Sequence, residues 1–191
     1  LLRTFHPEKL ILNDICHEMS TCFADLLSDR QVTFIPGDAE QLSFPSGQDL
    51  IVSCSALQWF VSPELFFKRC NALLSGHGYF AFSTFGKENL KEIAAVTGSG
   101  LHYYSLEELK KSLSMHYNIV TAGEERIRLT FATPLDVLYH LKHTGVTAVC
   151  RQAWTKGDLQ EFCDKYAKLF SCGNAVTLTY HPLYIIARKK P

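Results

Sequence analysis

Residues 10 to 16 read LILNDIC. Three apolar residues suited to a buried strand run directly into Asn13 and Asp14, which places a carboxylate at the carboxyl end of that strand. Met19, Cys22, Phe23, Leu26 and Leu27 then recur at helical spacing across residues 17 to 28. The short apolar run VTFI at 32 to 35 leads into the turn Pro36-Gly37-Asp38. These pieces predict a β-α-β unit with an acidic residue at the end of each of its two strands.

The alternation continues outward from that unit. DLIVSC at 49 to 54 predicts a strand apolar on both faces, as central parallel strands are, and Ser62-Pro63 supplies an N-cap and an N1 proline for a helix through Leu74. Ser75-Gly76-His77-Gly78 predicts the end of that helix, and GYFAFSTF at 78 to 85 a further strand. Ser105-x-x-Glu108 is a capping box opening an amphipathic helix with Leu106, Leu109 and Leu113 on one side.

Beyond residue 117 the rhythm changes. NIVTAGEERIRLTF at 118 to 131 reads as an edge hairpin or a bent strand, and Pro134 starts a helix through about Lys142. Thr155-x-x-Asp158 opens a helix expected to bury Leu159, Phe162, Cys163, Tyr166 and Leu169. VTLTYHPLYIIARKK at 176 to 190 is a strand with a bulge or bend at Pro182. LLRTFHPEKL looks like the tail of a helix and a proline turn, so the chain is expected to begin mid-fold. The expected architecture is α/β: a doubly wound, mostly parallel sheet with an antiparallel last strand, and residues 132 to 172 as a helical insertion or lid.

A chain of 191 residues has the size of one domain. Nineteen basic residues balance nineteen acidic ones with no block of like charge, which favours neither nucleic acid nor an anionic membrane. Apolar runs such as LIVSCSALQWF at 50 to 60 are too short and too polar to span a bilayer, and no secretory signal opens the chain. The expectation is a soluble protein. Seven cysteines without a C-x-x-C pair suit a reducing cytoplasm. Cys163 and Cys172 with His181, or the pair His140-x-x-His143, fall short of a metal site, so no metal is expected.

In open α/β sheets ligands bind beyond the carboxyl ends of the strands. Those ends here carry Asp14, Asp38, the segment Ser53 to Trp59, and Ser83 to Phe85. Two carboxylates at neighbouring strand ends suit a nucleoside, because an ionised carboxylate only accepts and can grip a ribose diol with both oxygens. The alternatives are an N-cap for Asp14 and an Asx turn or cap after Gly37 for Asp38. Gly76-x-Gly78 and Gly98-Ser99-Gly100 read as turns, since neither sits between a strand and a helix as a phosphate cradle does.

NDIC, FIPGDAEQLSFP, DLIVSCSALQWF and GYFAFSTFGKENLKEI resemble the class I S-adenosylmethionine-dependent methyltransferases, over essentially the whole chain. HYYSLEEL, HLKHTGVTA and LTYHPLYIIARK resemble, more narrowly, the malonyl-[acyl-carrier protein] O-methyltransferases of biotin synthesis. The resemblance implies that Asp14, with Ile15 beside it, holds the cofactor ribose. It likewise assigns Asp38 and Ala39 to the adenine, and Ser53, Cys54 and Ser55 to the methionine side. Family members also carry a glycine-rich loop after an earlier, central strand. This sequence does not show it, so a single incomplete methyltransferase domain spanning 1 to 191 is expected.

The reaction implied is methyl transfer to the free carboxylate of a malonyl thioester on acyl-carrier protein. A malonyl carboxylate is already ionised at neutral pH, so no catalytic base is assigned. The substrate-binding candidates are His140, Lys142 and Thr144, with Gln58, Trp59, Thr84 and Phe85 shaping the pocket wall. Either Tyr180 or His181 can face that pocket, since they lie on opposite faces of one strand. An acidic carrier needs a basic surface, for which Lys87, Lys91, Lys110, Lys111, Arg126 and Arg128 are candidates. Two alternatives stand beside this reading: a class I methyltransferase for another small acid, and a non-catalytic α/β binding domain.

Overall fold

A computed structural model describes residues 2–146 and 154–191; Cys150 and the end of the HLKHTGVTA motif lie outside them. The chain forms two compact units, Leu1–Pro45 and Ser46–Pro191, where the sequence leads one to expect a single domain.

The first unit contains α1 (Leu2–Phe5), β1 (Leu10–Asp14), α2 (Met19–Cys22), α3 (Ala24–Leu27) and β2 (Val32–Pro36). β1 and β2 pair in parallel, from Leu10 opposite Val32 to Asp14 opposite Pro36, which is the expected β-α-β unit. Its helix is two single turns rather than one run, because Phe23 leaves helical geometry (φ −106°, ψ 9°) and neither turn has a side-chain cap. Phe23 packs on Phe34, with ring centres 5.8 Å apart. Cys22 and Leu26 point to solvent, and Val32 is the unit's buried hydrophobic side chain.

The second unit runs β3 (Gln48–Cys54), a 3-10 turn (Leu57–Trp59), α4 (Pro63–Leu73), β4 (Leu74–Phe85), α5 (Lys91–Thr97), α6 (Leu106–Leu113), β5 (Tyr117–Glu124) and β6 (Ile127–Phe131). It continues with α7 (Pro134–His143), α8 (Lys156–Phe170), β7 (Ser171–Cys172), β8 (Ala175–Tyr180) and β9 (Pro182–Lys189). Its main sheet has the order β3-β4-β9-β5. β3 and β4 are parallel, and β9 runs antiparallel to both β4 and β5, as expected of the last strand. α4 and α6 close one face over an aromatic core: Phe67 stacks on Phe82 at 5.6 Å, and the buried Tyr117 hydroxyl donates to the Phe67 carbonyl at 2.8 Å.

Two expectations need correction here. β3 is not central within its unit: among the described residues it pairs with β4 alone, and Leu50 and Val52 remain 37% and 40% exposed. Ser75 to Gly78 is no turn but the extended start of β4. Gly78 is required there, since a Cβ would meet the Gln48 carbonyl oxygen at 2.9 Å.

Both late strands bend, as the alternation and Pro182 suggest. β5 and β9 pair in the main sheet, and their extensions β6 and β8 pair in a second sheet of order β6-β8-β7. With only two residues, β7 leaves part of the β8 edge open. Side chains of the segment after β4 close it: the Thr179 N–H donates to Glu92 Oε2 at 3.0 Å and its hydroxyl to Glu92 Oε1 at 2.6 Å. The His181 N–H donates to Asn89 Oδ1 at 3.2 Å. Edge N–H groups buried without partners would be costly, and the carboxylate and amide satisfy them.

Beneath this second sheet α5, α7 and α8 enclose Ile93, Val137, Leu141, Phe162, Tyr166 and Leu178. Two of the three expected capping residues follow the sequence pattern, Ser105 and Thr155 forming full capping boxes, and Thr133 adds an unforeseen one with Asp136. Ser62 makes no side-chain cap bond. Leu169 is 58% exposed, and Phe170 packs on the core in its place. Among the described residues no helix is long and apolar enough to cross a membrane.

Candidate functional site

In the first unit the parallel pairing brings both acids to the same end of the two strands. Asp14 Oδ1 accepts the Cys16 N–H at 2.8 Å, and Asp38 Oδ1 accepts the Glu40 N–H at 2.8 Å. Both are Asx turns, so the local alternative for Asp38 is present in the structure, and Asp14 does the same work. Each turn uses one carboxylate oxygen and leaves the other without a partner among the described residues. The Gly37 N–H donates to the Asp14 carbonyl at 2.8 Å, and Asn13 Nδ2 donates to the Ile35 and Gly37 carbonyls at 2.8 and 3.0 Å. These bonds fix the two strand ends against each other. The Ala39 N–H has no acceptor among the described residues, and Ile15 is 74% exposed. Two free carboxylate oxygens and a free N–H are the donor and acceptor set that ribose hydroxyls, an adenine amino group and an adenine ring nitrogen require.

In the second unit Ser53, Cys54 and Ser55 end β3. Ser55 adopts a left-handed backbone (φ 52°), uncommon for a residue with a side chain, and its N–H donates to the Ser83 carbonyl at 2.9 Å. A hollow opens beyond β3 and β4, lined by Leu57, Gln58, Thr84, Phe85, Tyr103 and Tyr104 among others. Gln58, Thr84 and Phe85 therefore meet as the sequence suggests. Trp59 does not line the hollow and is 45% exposed. Gln58 donates to the Ser55 carbonyl, and its amide oxygen accepts from the Thr84 hydroxyl at 3.2 Å.

His140, Lys142 and Thr144 end α7 and lie outside that lining. His140 Nε2 is 2.9 Å from the Tyr180 hydroxyl, with Phe131 5.1 Å from its ring. Lys142 and Thr144 are exposed, and the Thr144 hydroxyl donates back to the His140 and Leu141 carbonyls. Tyr180 also packs 6.1 Å from Phe85, a wall of the hollow. His181 turns the other way. Its Nδ1 accepts the Glu88 N–H at 3.1 Å, which leaves Nε2 to donate to Glu124 at 3.1 Å. Of the two, Tyr180 is the residue on the hollow's side.

The sequence reading missed His102, Tyr103 and Tyr104 as lining residues. They stood only within the HYYSLEEL motif, and nothing local in that stretch signals a contact with β4. Burial raises the Tyr103 pKa, so its hydroxyl stays protonated and can donate. Of the basic residues weighed for a carrier, Lys87 pairs with Glu108, Lys91 with Glu88, and Lys110 with Glu107. Arg126 holds both Glu88 and Glu124. Lys111 and Arg128 carry charges with no described partner. No group of three or more potential metal ligands occurs among the described residues.

The profile of the methyltransferase domain family matches residues 1–82. A malonyl-[acyl-carrier protein] O-methyltransferase of Bacteroides thetaiotaomicron is 56% identical over 200 residues, covering all of this chain and 77% of that protein. A crystal structure of a methyltransferase from Bacillus halodurans superposes with TM-score 0.67 at 16% identity, covering 96% of this chain and 84% of its own. An N-methyltransferase from Bradyrhizobium japonicum, solved in complex with S-adenosyl-L-homocysteine, gives 0.54 at 13% identity, with 98% and 70% covered. Acid-tipped parallel strands, an antiparallel last strand and identity at this level along the whole chain place it in one family: it belongs to the malonyl-[acyl-carrier protein] O-methyltransferases, within the class I methyltransferase fold.

Proposed function

We propose that the protein transfers a methyl group from S-adenosylmethionine to the free carboxylate of a malonyl thioester carried on acyl-carrier protein, an early step of biotin synthesis. The observation that carries this reading is the 56% identity to a protein of that activity across all of this chain. When bound, S-adenosylmethionine supplies an electrophilic methyl group on a sulfonium.

Within the first unit, the free oxygen of Asp14 holds ribose hydroxyls beside Ile15. Asp38 accepts from the adenine amino group, and the Ala39 N–H donates to a ring nitrogen. Within the second, Ser53, Cys54 and Ser55 line the methionine side. The acceptor carboxylate needs no proton removed at neutral pH, so the residues around it have only to orient it and exclude water. Gln58, Thr84 and Phe85 shape that wall, and Tyr180, held by His140, joins it from the side. Lys142 and Thr144, exposed at the end of α7, reach the arriving acyl group, and Trp59 offers an exposed apolar surface to the acyl arm. Helices α7 and α8 act as a lid, and Lys111 and Arg128 meet the acidic carrier.

Methyl transfer measured with free malonate, a malonyl thioester and carrier-bound malonyl tests the reading. Turnover is expected to rise in that order by at least about tenfold per step in kcat/KM. Equal turnover of free malonate would remove the carrier from the proposal and leave a methyltransferase for small acids.

A further inference from the structure

We infer that Tyr103 is the carboxylate-recognising residue of this site: its hydroxyl donates to one oxygen of the acceptor carboxylate and leaves the other to attack. The inference rests on the proposed acceptor being a carboxylate.

Its origin is a chain of fixed donors. The His181 backbone N–H can only donate, and it meets Asn89 Oδ1 at 3.2 Å. The Asn89 amide is thereby oriented, and its Nδ2 must donate; it does so to the Tyr103 hydroxyl at 3.1 Å. Asn89 is 5% exposed, so this orientation is held by burial as well as by bonding. Tyr103 has thus accepted one hydrogen bond, and its own proton finds no acceptor among the described residues. The ring lines the hollow at the ends of β3 and β4.

The other polar groups there are either committed elsewhere or not fixed in place. The Thr84 proton is spent on Gln58, and one Gln58 amide proton on the Ser55 carbonyl. His102 and Tyr104 meet edge to face at 5.0 Å, and among the described residues no hydrogen bond fixes either ring. Among the described residues no lysine or arginine lines the hollow. A neutral donor suits the chemistry, because a cation tight against the nucleophile would lower its reactivity more than one hydrogen bond does. Burial also keeps the Tyr103 phenol protonated, so a proton remains for it to donate.

The test is Tyr103→Phe in the full-length protein, which keeps the ring and removes the proton. Binding of a malonyl thioester, by calorimetry with S-adenosylhomocysteine present, is expected to weaken about tenfold to a hundredfold, as for a lost hydrogen bond to a charged group. Binding of the corresponding acetyl thioester, which has no carboxylate, should stay within about twofold. Asn89→Asp gives an independent arm: its new carboxylate would accept the Tyr103 proton and should reproduce the malonyl defect with the tyrosine in place. Weakening of malonyl and acetyl thioesters alike would mean that Tyr103 is structural, and malonyl binding unchanged in Tyr103→Phe would overturn the inference. If the wild-type protein methylates a different carboxylic acid instead, the proposed acceptor fails, and the same variant measured on that acid still decides the role of Tyr103.

Discussion

The main sheet of the second unit has two faces of opposite character. On one, Phe80, Phe82, Leu183, Ile185 and Ala187 lie with α4 and α6 and are at most 4% exposed. On the other, Leu50, Val52, Tyr79, Tyr184 and Ile186 are 37% to 44% exposed. The strand ladder is common to both faces, so backbone pairing does not distinguish them. Side-chain cover does. Sheets of parallel strands are ordinarily covered on both faces, and the apolar residues of the open face fit that rule although no described helix of this unit reaches them. The comparison teaches that stability here is carried by one packed face.

The sharpest way to break this comparison is a matched pair of truncations on neighbouring residues of β4. Phe80→Ala removes a ring in contact with Phe66, Phe67, Phe82 and Tyr117, and should cost about 3–5 kcal/mol in urea denaturation. Tyr79→Ala, on the open face, should cost about 1 kcal/mol or less. Similar costs would mean that both faces are equally covered in solution.

A smaller effect, on binding instead of folding, is expected at the acid-tipped strands. Asp14 borders solvent in a unit with little buried surface. Asp14→Ala should weaken S-adenosylhomocysteine by about 1–3 kcal/mol, through loss of a charged acceptor, and leave the denaturation midpoint nearly unchanged. A large fall in stability with normal ligand affinity would make Asp14 a turn-forming residue only.

Legibility followed the same division. Elements with local signals were readable: the β-α-β of residues 10 to 36, the capping boxes at Ser105 and Thr155, the bend at Pro182. α5 was not, because it follows Leu90 in a left-handed conformation with no capping side chain, and its place is set by Glu92 and Asn89 reaching the β8 edge, 87 and 92 residues away in sequence. Leu169 was misplaced because helical periodicity near a C-terminus does not say which of two adjacent apolar residues turns inward. β3 reads as central because periodicity reports what a strand could bury, not what covers it. At the site, Gln58, Thr84 and Phe85 were legible from strand ends. Tyr103 was not, since its position depends on an amide fourteen residues away that is itself oriented by the backbone just after β8.

The smallest effect lies at an exposed edge, where charge and not packing is at work. The Arg126 guanidinium, and after it the Lys91 ammonium, hold Glu88 at a pKa of about 2, below its ordinary 4.5. A carboxylate with a depressed folded pKa binds fewer protons folded than unfolded between those values, so stability falls with falling pH there. Its contribution is complete above about pH 4.5 and is lost as pH drops towards 2. Glu88→Gln should therefore flatten part of the decline in stability across that window. The flattening stays partial because Glu108, held at about 2 by Lys87 and Ser105, titrates over the same range. With the Glu88 and Arg126 side chains 39% and 50% exposed, solvent screens the pair, and moderate salt should shrink the difference further. Denaturation of both proteins at pH 7 and pH 3 measures it: a difference that persists undiminished in high salt would place Glu88 with the packed interior, contrary to the division between covered and open surfaces.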